Sequence, residues 1–314
     1  MGMKSERVGV GGGGGGRRRR RNEEADPGEL DTAAAPIPFT AKERAFQVLE
    51  FVFLFVPLAA FLLVPEFASQ QSMAASVRVL DSKGAIGVEV ADMLVNLSRE
   101  AVAARGKFTV AFSGGSLPGI VASGILSRAE EIAWDKWHVF FADERFVPLD
   151  HVDSNYRACH ADFLGKVSIK DEHIYTINAA GSLQGAADEY AAALQRVAGA
   201  SPRLDAVLLG MGPDGHTCSL FPGHELLDET SALVAPISDS PKPPSQRITL
   251  TFPVVNAARN VLFVAAGGSK ADVLPKVVNA PPAAEGEEAL PAARVSPSEG
   301  NLVWFVDNAA AAKL

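Results

Sequence analysis

Short apolar segments alternate with segments of helical periodicity from Ser76 onward, and this alternation constrains the fold more than any other feature. Apolar residues that recur at i, i+4, i+8 and i+11, on one face of a predicted helix, are Ile86, Val90, Leu94 and Leu97. Further helices are predicted from about Pro118 onward and over residues 183–197. Strands are predicted over residues 77–80, 108–112, 139–142, 204–210, 248–252, 261–266 and 302–306.

Strands that alternate with helices build βαβ units, whose strands lie parallel in one sheet. Apolar residues run almost continuously through the predicted strands, which is typical of a sheet covered on both faces. The sequence therefore predicts an α/β fold: an open, mostly parallel, doubly wound, Rossmann-like sheet with helices on both faces. Ligands of such sheets bind beyond the carboxyl ends of the strands, so the loops that follow the strands are the candidate site.

Residues 1–75 differ in composition from the rest, and we expect them to be a disordered, low-complexity extension. Glycine occupies positions 11–16 and arginine positions 17–21, and a glycine run has a large conformational entropy and nothing to bury. The apolar segment 51–64 contains Pro57. As a helix it would extend for about 21 Å, less than the ~30 Å hydrocarbon core of a bilayer, so a membrane span is not expected. Residues 76–314 are predicted to form a single α/β domain.

The charge balance argues against nucleic acid as a partner. The chain has 29 Lys and Arg against 37 Asp and Glu, a formal net charge of −8, whereas phosphate backbones require clustered basic side chains. Residues 1–75 hold nine basic and nine acidic side chains, so the whole net charge belongs to the predicted domain.

The compartment and the oligomeric state are less constrained. Cys159 and Cys218 are too few for a disulfide framework, which favours a reducing compartment. We expect a cytoplasmic protein that is a monomer or a weak dimer. The plastid is an alternative because of the extension. The peroxisome is another, because the final Ala-Lys-Leu is similar to the Ser-Lys-Leu address.

Two loops after predicted strands suit an anion. Ser113-Gly-Gly-Ser116 lies between a strand and a helix, where backbone N–H groups and the helix N-terminus favour a phosphate, although a simple tight turn has the same pattern. Asp143-Glu-Arg145 follows the next strand, and Arg145 there could bind phosphate oxygens as a bidentate fork. A solvated turn explains the charged triplet equally well.

A third loop, residues 210–217, reads Gly-Met-Gly-Pro-Asp-Gly-His-Thr and follows a buried strand. Its glycines predict a shaped turn that presents His216 at the strand ends. His224 and Cys218 lie nearby but do not form a zinc spacing with it, so no metal is expected. Farther on, Arg247 and Lys270 add basic groups to an otherwise acidic chain, and together the basic residues favour a small anionic substrate.

Five ordered blocks of sequence resemble the 6-phosphogluconolactonase family, in the superfamily of glucosamine/galactosamine-6-phosphate isomerases. The resemblance covers about residues 77–307. The blocks are residues 113–118, residues 141–145 with Ser154 and Asn155, residues 210–217 with 220–224, residues 247–249, and residues 268–270.

The resemblance implies hydrolysis of 6-phospho-D-glucono-1,5-lactone to 6-phospho-D-gluconate, the second step of the oxidative pentose phosphate pathway, without a cofactor. It implies His216 as the base that activates water, with Asp214 orienting or tuning it. The implied substrate-binding residues are Gly114, Gly115, Ser116, Arg145 and Lys270 at the 6-phosphate, Arg247 near the sugar or the developing charge, and Asp143 at the sugar hydroxyls.

Three alternatives remain at the level of sequence. Glucosamine-6-phosphate deaminases have a similar fold and Asp-Gly-His loop, but they carry a glutamate five residues after the histidine, where this chain has Phe221. A non-catalytic sugar-phosphate sensor would be expected to carry a helix-turn-helix segment, which residues 1–75 do not predict. A membrane-tethered interaction protein rests on residues 51–64 alone.

Overall fold

The computed structural model describes residues 75–279 and 289–314. The extension predicted at residues 1–75, with its apolar segment 51–64, lies outside the described residues except for Ala75. The domain boundary near residue 75 therefore stays a prediction.

Six strands form one parallel sheet, as the alternation of strands and helices predicts. They are β1 Ser76–Leu80, β2 Phe108–Phe112, β3 Trp137–Phe141, β5 Ala206–Leu209, β8 Asn260–Ala265 and β9 Asn301–Asp307. Their order across the sheet is β1-β9-β8-β5-β2-β3, and every neighbouring pair is parallel. The carboxyl ends of all six strands consequently lie at one edge.

Three short strands form a second, antiparallel sheet, which corrects the assignment of residues 248–252 to the parallel sheet. They are β4 Asp143–Arg145, β6 Val234–Ile237 and β7 Arg247–Leu250, in the order β4-β7-β6. Only residues 238–246 separate β6 from β7, and they contain no helix. A parallel pairing needs a crossover of about a dozen or more residues, so these two strands pair antiparallel.

Within residues 75–279 and 289–314, six α-helices lie between the strands. They are α1 Lys83–Arg105, α2 Leu117–Ile125, α3 Asn155–Asp162, α4 Leu183–Ala198, α5 Phe252–Ala257 and α6 Leu274–Val278. The Ser82 hydroxyl caps α1 by accepting from the backbone N–H of Ala85, and the helix ends at Gly106, whose φ of 73° suits glycine. No helix within the described ranges is long and apolar enough to cross a membrane.

Short 3₁₀-helices of three to six residues complete the connections. They are Leu126–Glu131, Trp134–Lys136, Leu164–Lys166, Asp171–His173, Glu225–Asp228, Gly268–Lys270 and Pro291–Arg294.

The parallel sheet separates two hydrophobic layers, because successive side chains of a strand point to opposite faces. In β9, Val303 and Phe305 pack on the side of α1 and α2, whereas Trp304 and Val306 pack on the side of α4 and the small sheet. The rings of Trp304 and Phe263 stack at 3.8 Å between centroids on the second side. The layers cover both faces, which confirms the predicted fold class and leaves the carboxyl edge for ligands.

Candidate active site

An open cavity of about 250 Å³ lies at the carboxyl edge of the parallel sheet. Its wall includes eight of the nine residues predicted from the sequence: Gly114, Gly115, Ser116, Asp143, Arg145, His216, Arg247 and Lys270. The ninth, Asp214, contacts His216 from within the same loop. The fold thus brings together five segments that are distant in sequence.

The glycine loop between β2 and α2 forms one part of the wall. Ser113 continues the strand pairing by donating its backbone N–H to the carbonyl of Leu208, at 2.9 Å. Gly115 has a φ of 69°, a conformation that glycine adopts without strain. Ser116 then precedes the first residue of α2, and its side chain makes no capping hydrogen bond. Ser116 and Leu117 line the cavity, so the amino end of this helix lies at its wall, and a helix N-terminus favours an anion.

Two buried polar atoms of the wall lack hydrogen-bond partners among the described residues: Oγ of Ser113 and Nε of Arg145. A buried polar atom without a partner carries a free-energy cost, which a bound ligand would relieve. The Arg145 side chain is nevertheless oriented, because Nη1 donates to the carbonyl of Asp153 at 2.6 Å. Lys270 stands in the turn after β8, and burial followed by the charge of Lys242 lowers the pKa of its ammonium group.

Asn155 joins the glycine loop to β4. Its side-chain amide donates to the carbonyl of Asp143, at 2.8 Å, and it is fully buried against Gly114. A Cβ atom at position 114 would come within 1.8 Å of the Asn155 Oδ1, so this contact requires glycine. Buried Glu144 fixes the same region, because its carboxylate accepts from the backbone N–H groups of Asn155 and Tyr156 at 2.7 and 2.8 Å.

The loop after β5 presents His216 as the sequence predicts. It closes through a hydrogen bond from the Gly212 N–H to the His216 carbonyl, at 2.9 Å, and another from the Thr217 hydroxyl to the Gly210 carbonyl, also at 2.9 Å. Gly215 has a φ of 80°. A Cβ atom at Gly212 would come within 2.0 Å of the His216 Nδ1. Glycine is thus favoured at position 215 by the positive φ of the turn, and at position 212 by the close approach of the His216 side chain.

His216 is paired with a carboxylate. Its Nδ1 lies 2.5 Å from the Asp214 Oδ1, and its side chain is 18% exposed. The Nζ of Lys242 lies 2.9 Å from the other carboxylate oxygen of Asp214 and 2.9 Å from the His216 Nδ1. Because the pair is joined through Nδ1, Nε2 is the ring nitrogen left for a substrate or a water.

The environment shifts the pKa of both partners. Burial lowers the pKa of His216, the hydrogen bond and charge of Asp214 raise it, and the Lys242 charge lowers it, with a net decrease. Burial raises the pKa of Asp214, but hydrogen bonds from Lys242 and His216 outweigh it and lower that pKa well below its usual range. At neutral pH the imidazole is thus uncharged and the carboxylate ionised, as a general base and its partner require.

Arg247 is almost completely buried, at 3% exposure. Its Nε donates to the Pro244 carbonyl at 2.9 Å, and its Nη2 donates to the carbonyls of Lys242 and Pro243 at 2.8 and 3.1 Å. Its Nη1 lies 3.8 Å from the Asp143 carboxylate, which also accepts from the Ser219 hydroxyl at 2.8 Å. The side chain that lines the cavity thus also holds the backbone of the loop before β7.

Neither cysteine has the environment of a nucleophile. Cys159 lies in the core, and Cys218 borders the cavity with a φ of 51°. Burial raises the pKa of both thiols well above the usual range. Within the described ranges, no group of three or more His, Cys, Asp or Glu side chains is arranged to hold a metal ion.

Sequence reasoning missed Lys242 and assigned no role to Asn155 or Ser219. Lys242 stands in Ser-Pro-Lys-Pro-Pro, a segment without periodicity, so nothing local indicates that it approaches His216. Asn155 does belong to a block of the family resemblance, and its position directly after the helix-capping Ser154 was the available signal.

A family model and individual relatives indicate the same family for this chain. The family model described as "Glucosamine-6-phosphate isomerases/6-phosphogluconolactonase" matches residues 81–304. The 6-phosphogluconolactonase of Rattus norvegicus is 42% identical over 241 residues, which is 75% of this chain and 92% of that protein. The 6-phosphogluconolactonase 3, chloroplastic, of Arabidopsis thaliana is 42% identical over 253 residues, 76% of this chain and 75% of the relative.

Solved structures agree on the fold. The crystal structure of 6-phosphogluconolactonase from Thermotoga maritima superposes with a TM-score of 0.63 at 28% identity, covering 74% of this chain and 99% of that one. A monomeric glucosamine-6-phosphate deaminase has a TM-score of 0.64 at 16% identity, covering 76% of this chain and 100% of that one, which is a likeness of fold alone. The chain therefore belongs to the family of glucosamine-6-phosphate isomerases and 6-phosphogluconolactonases, and it is an enzyme of the 6-phosphogluconolactonase subfamily.

Proposed function

We propose that this enzyme hydrolyses 6-phospho-D-glucono-1,5-lactone to 6-phospho-D-gluconate, the second step of the oxidative pentose phosphate pathway, with His216 as general base. The Nε2 of His216 takes a proton from a water molecule while the water oxygen attacks the C1 carbonyl. The carbonyl becomes a tetrahedral oxyanion. Its collapse breaks the bond between C1 and the ring oxygen, which accepts the proton back from the imidazolium, and the acid formed ionises.

The observation that carries this proposal is the 2.5 Å contact between the Nδ1 of His216 and the carboxylate of Asp214, at a cavity that also contains basic residues. A carboxylate at Nδ1 fixes the tautomer whose Nε2 has a free lone pair, and it stabilises the imidazolium formed during attack. Nothing in this arrangement requires a cofactor.

We propose that the 6-phosphate binds where buried polar groups lack partners in the part of the chain that the structure describes. The glycine loop offers the N–H groups of Gly114, Gly115 and Ser116 at a helix N-terminus. Arg145 and Lys270 add positive charge, and the buried Nε of Arg145 has no hydrogen-bond partner within the described residues. We further propose that Asp143 positions the sugar and that Arg247 lies near the sugar or the developing charge, as the family resemblance implies.

The test follows the loss of freshly generated lactone by wild type and by His216→Ala, with spontaneous hydrolysis subtracted. Wild type is expected to accelerate hydrolysis, and the variant to lose at least about 100-fold in kcat, since general bases contribute about 10²–10⁴-fold. Equal rates for both proteins would contradict the mechanism. An inactive wild type that still binds 6-phosphogluconate would indicate a sugar-phosphate sensor instead.

Phe221 distinguishes this reaction from deamination of glucosamine 6-phosphate. Its ring is 2% exposed and lies 4.8 Å from the His216 ring, centroid to centroid. A phenyl ring cannot transfer a proton to an opening sugar ring. We therefore expect no ammonia release from glucosamine 6-phosphate, and a turnover comparable to that of the lactone would favour the deaminase.

We propose a cytoplasmic location, with the plastid and the peroxisome as the alternatives. Fluorescent fusions at the C-terminus and at the N-terminus test them separately, because a plastid presequence needs a free N-terminus and a peroxisomal address a free C-terminus. Sequencing the N-terminus of the native protein shows whether residues 1–75 persist. Light scattering after gel filtration tests the expected monomer or weak dimer.

A further inference from the structure

Lys242 makes two contacts of equal length with residues of the loop 210–217, called the catalytic loop below. Its Nζ lies 2.9 Å from the Asp214 Oδ2 and 2.9 Å from the His216 Nδ1. Asp214 thus has one carboxylate oxygen on the lysine and the other on the histidine. No sequence motif assigned to the reaction contains this lysine.

The three groups admit one consistent placement of protons. An ammonium group has donors but no acceptor, and Nδ1 can either donate or accept. The 2.5 Å contact with a carboxylate is the shorter and is charge-assisted, so Nδ1 of His216 carries a hydrogen that points to Asp214. Nδ1 is then unavailable as an acceptor, and Lys242 donates to the other oxygen of Asp214. The carboxylate is held between two donors.

The backbone on both sides of Lys242 is fixed. The Lys242 carbonyl accepts from Arg247 Nη2 at 2.8 Å and from the Ser240 hydroxyl at 2.9 Å. The buried guanidinium of Arg247 also holds the two residues that follow. A lysine on an unanchored surface loop would lose backbone entropy as well as side-chain entropy in holding one position. Here the backbone is already anchored, so only the side-chain part of that loss remains.

An aromatic surface supports the same arrangement. The Phe221 ring lies 4.8 Å from the His216 ring, and the charged groups of Lys242 and Arg247 each lie 5.8 Å from its centroid. Cations within about 6 Å of an aromatic face are attracted to it. The phenyl ring therefore limits the positions that both the imidazole and the ammonium group can take.

We propose that Lys242 is a positioning residue of the reaction: by binding Asp214 it holds the His216 imidazole with Nε2 free to act as base, and Arg247 anchors the loop that delivers it. The effect of Lys242 on hydrolysis rests on the proposed function, whereas its effect on the position of the His216 ring does not. The ammonium group acts through Asp214 and need not touch the lactone.

Other charges face the same imidazole and are unchanged by the test. Asp143 acts on His216 from β4 and raises its pKa, while burial and Lys242 lower it. Lys270, in the turn after β8, interacts electrostatically with Lys242 and Asp214. The guanidinium group of Arg247, on β7, lies 5.8 Å from the centre of the Phe221 ring that packs against the imidazole. Removing the Lys242 charge alone therefore raises the pKa of His216. Since a base is active only when neutral, the acidic limb of activity moves to higher pH.

The experiment compares Lys242→Gln and Lys242→Arg with a matched control, Lys313→Gln, which removes a lysine from an exposed ion pair with Asp272. We expect Lys242→Gln to lower kcat by about 10- to 100-fold with little change in KM, by analogy with the loss found when an outer partner that orients a metal-ligating histidine is removed. Lys242→Arg is expected to recover part of the loss, and Lys313→Gln to behave as wild type. A loss confined to KM, or a Lys242→Gln variant with wild-type kcat and pH profile, would overturn the proposal.

A second measurement needs no substrate. Nitrogen-detected NMR of ¹⁵N-histidine protein reports the tautomer and the pKa of His216 directly. The wild-type ring is expected as the Nδ1–H tautomer, and Lys242→Gln should show a raised pKa and a mixture of tautomers. Unchanged resonances would contradict the positioning role even if hydrolysis fails to occur. The altered NMR signature without lactonase activity would instead support the positioning role and contradict the proposed function.

Discussion

Arg145 and Arg247 lie directly opposite each other in the antiparallel pair of β4 and β7, both at the cavity wall. Like charges in such a pair are ordinarily destabilising. Here the two guanidinium groups are directed to different partners: Arg247 to the loop carbonyls and to Asp143, and Arg145 to the carbonyl of Asp153. The residual positive charge favours an anion in the cavity.

Arg145→Gln tests that anion site. The variant is expected to raise KM for the lactone by about 10- to 100-fold with a smaller change in kcat, because hydrogen bonds to charged groups contribute about 1.5–3 kcal/mol and each ~1.4 kcal/mol is tenfold. Competitive inhibition by inorganic phosphate should weaken in parallel. Arg196→Gln, on the exposed face of α4, is the control. Unchanged KM and phosphate inhibition would remove Arg145 from the phosphate site.

Gly212→Ala tests the close approach in the catalytic loop. The added Cβ would lie 2.0 Å from the His216 Nδ1 and 2.3 Å from the Asp214 Oδ1, so the pair has to separate or the loop has to shift. We expect kcat to fall by at least about tenfold, while overpacking lowers stability by about 1–3 kcal/mol. Steady-state kinetics and thermal unfolding measure the two effects. Gly181→Ala, which meets nothing within 4 Å, should change neither.

The pH profile follows from the shifted pKa of His216. Burial lowers that pKa below its ordinary value of 6.5, and the base works only when neutral, so activity is present above the shifted pKa and is lost as pH falls through it. Asp214→Asn removes a contribution that raises the pKa. It should move the acidic limb to lower pH and lower the plateau kcat by about 100-fold. This limb moves in the opposite direction to that of Lys242→Gln. A limb that moves upward in Asp214→Asn would refute the assigned pairing.

Asp205 gives a prediction about stability alone. Its buried carboxylate lies just before β5, where it accepts from Arg105 at 2.7 Å and from the N–H and hydroxyl of Thr109, each at 2.9 Å. Asp205→Ala leaves the buried N–H and hydroxyl of Thr109 without their partner, whereas Arg105 is 37% exposed and can be solvated, so the fold should be destabilised by about 1–3 kcal/mol, or roughly 5 °C in Tm. Because it lies at the amino edge of the sheet, kcat at low temperature should stay near wild type. The exposed Asp272→Asn is the control.

Local signals carried most of the fold. The spacing of apolar residues in α1 and the glycines after β2 and β5 are properties of short segments, and so is the apolar run of residues 108–112. This run is a strand in both the prediction and the structure. β4 was not predicted, since Asp143–Arg145 is three charged or polar residues long and has no measurable period. It is a strand because β7 pairs with it.

The residues of the site can also be divided into those that local sequence predicts and those that only tertiary contacts bring in. The sequence by itself determined the alternating fold, the loops at the carboxyl edge, and the residues on them, because turn chemistry and strand ends are encoded within a few neighbouring positions. Only the tertiary structure decided that Lys242 contacts Asp214 and that the guanidinium of Arg247 donates hydrogen bonds to the backbone of the loop that contains Lys242. The contact of Lys242 with the loop of Asp214 and His216 joins residues far apart in the chain. The Arg247 contacts are local, but their geometry depends on a second sheet whose pairing no local pattern specifies.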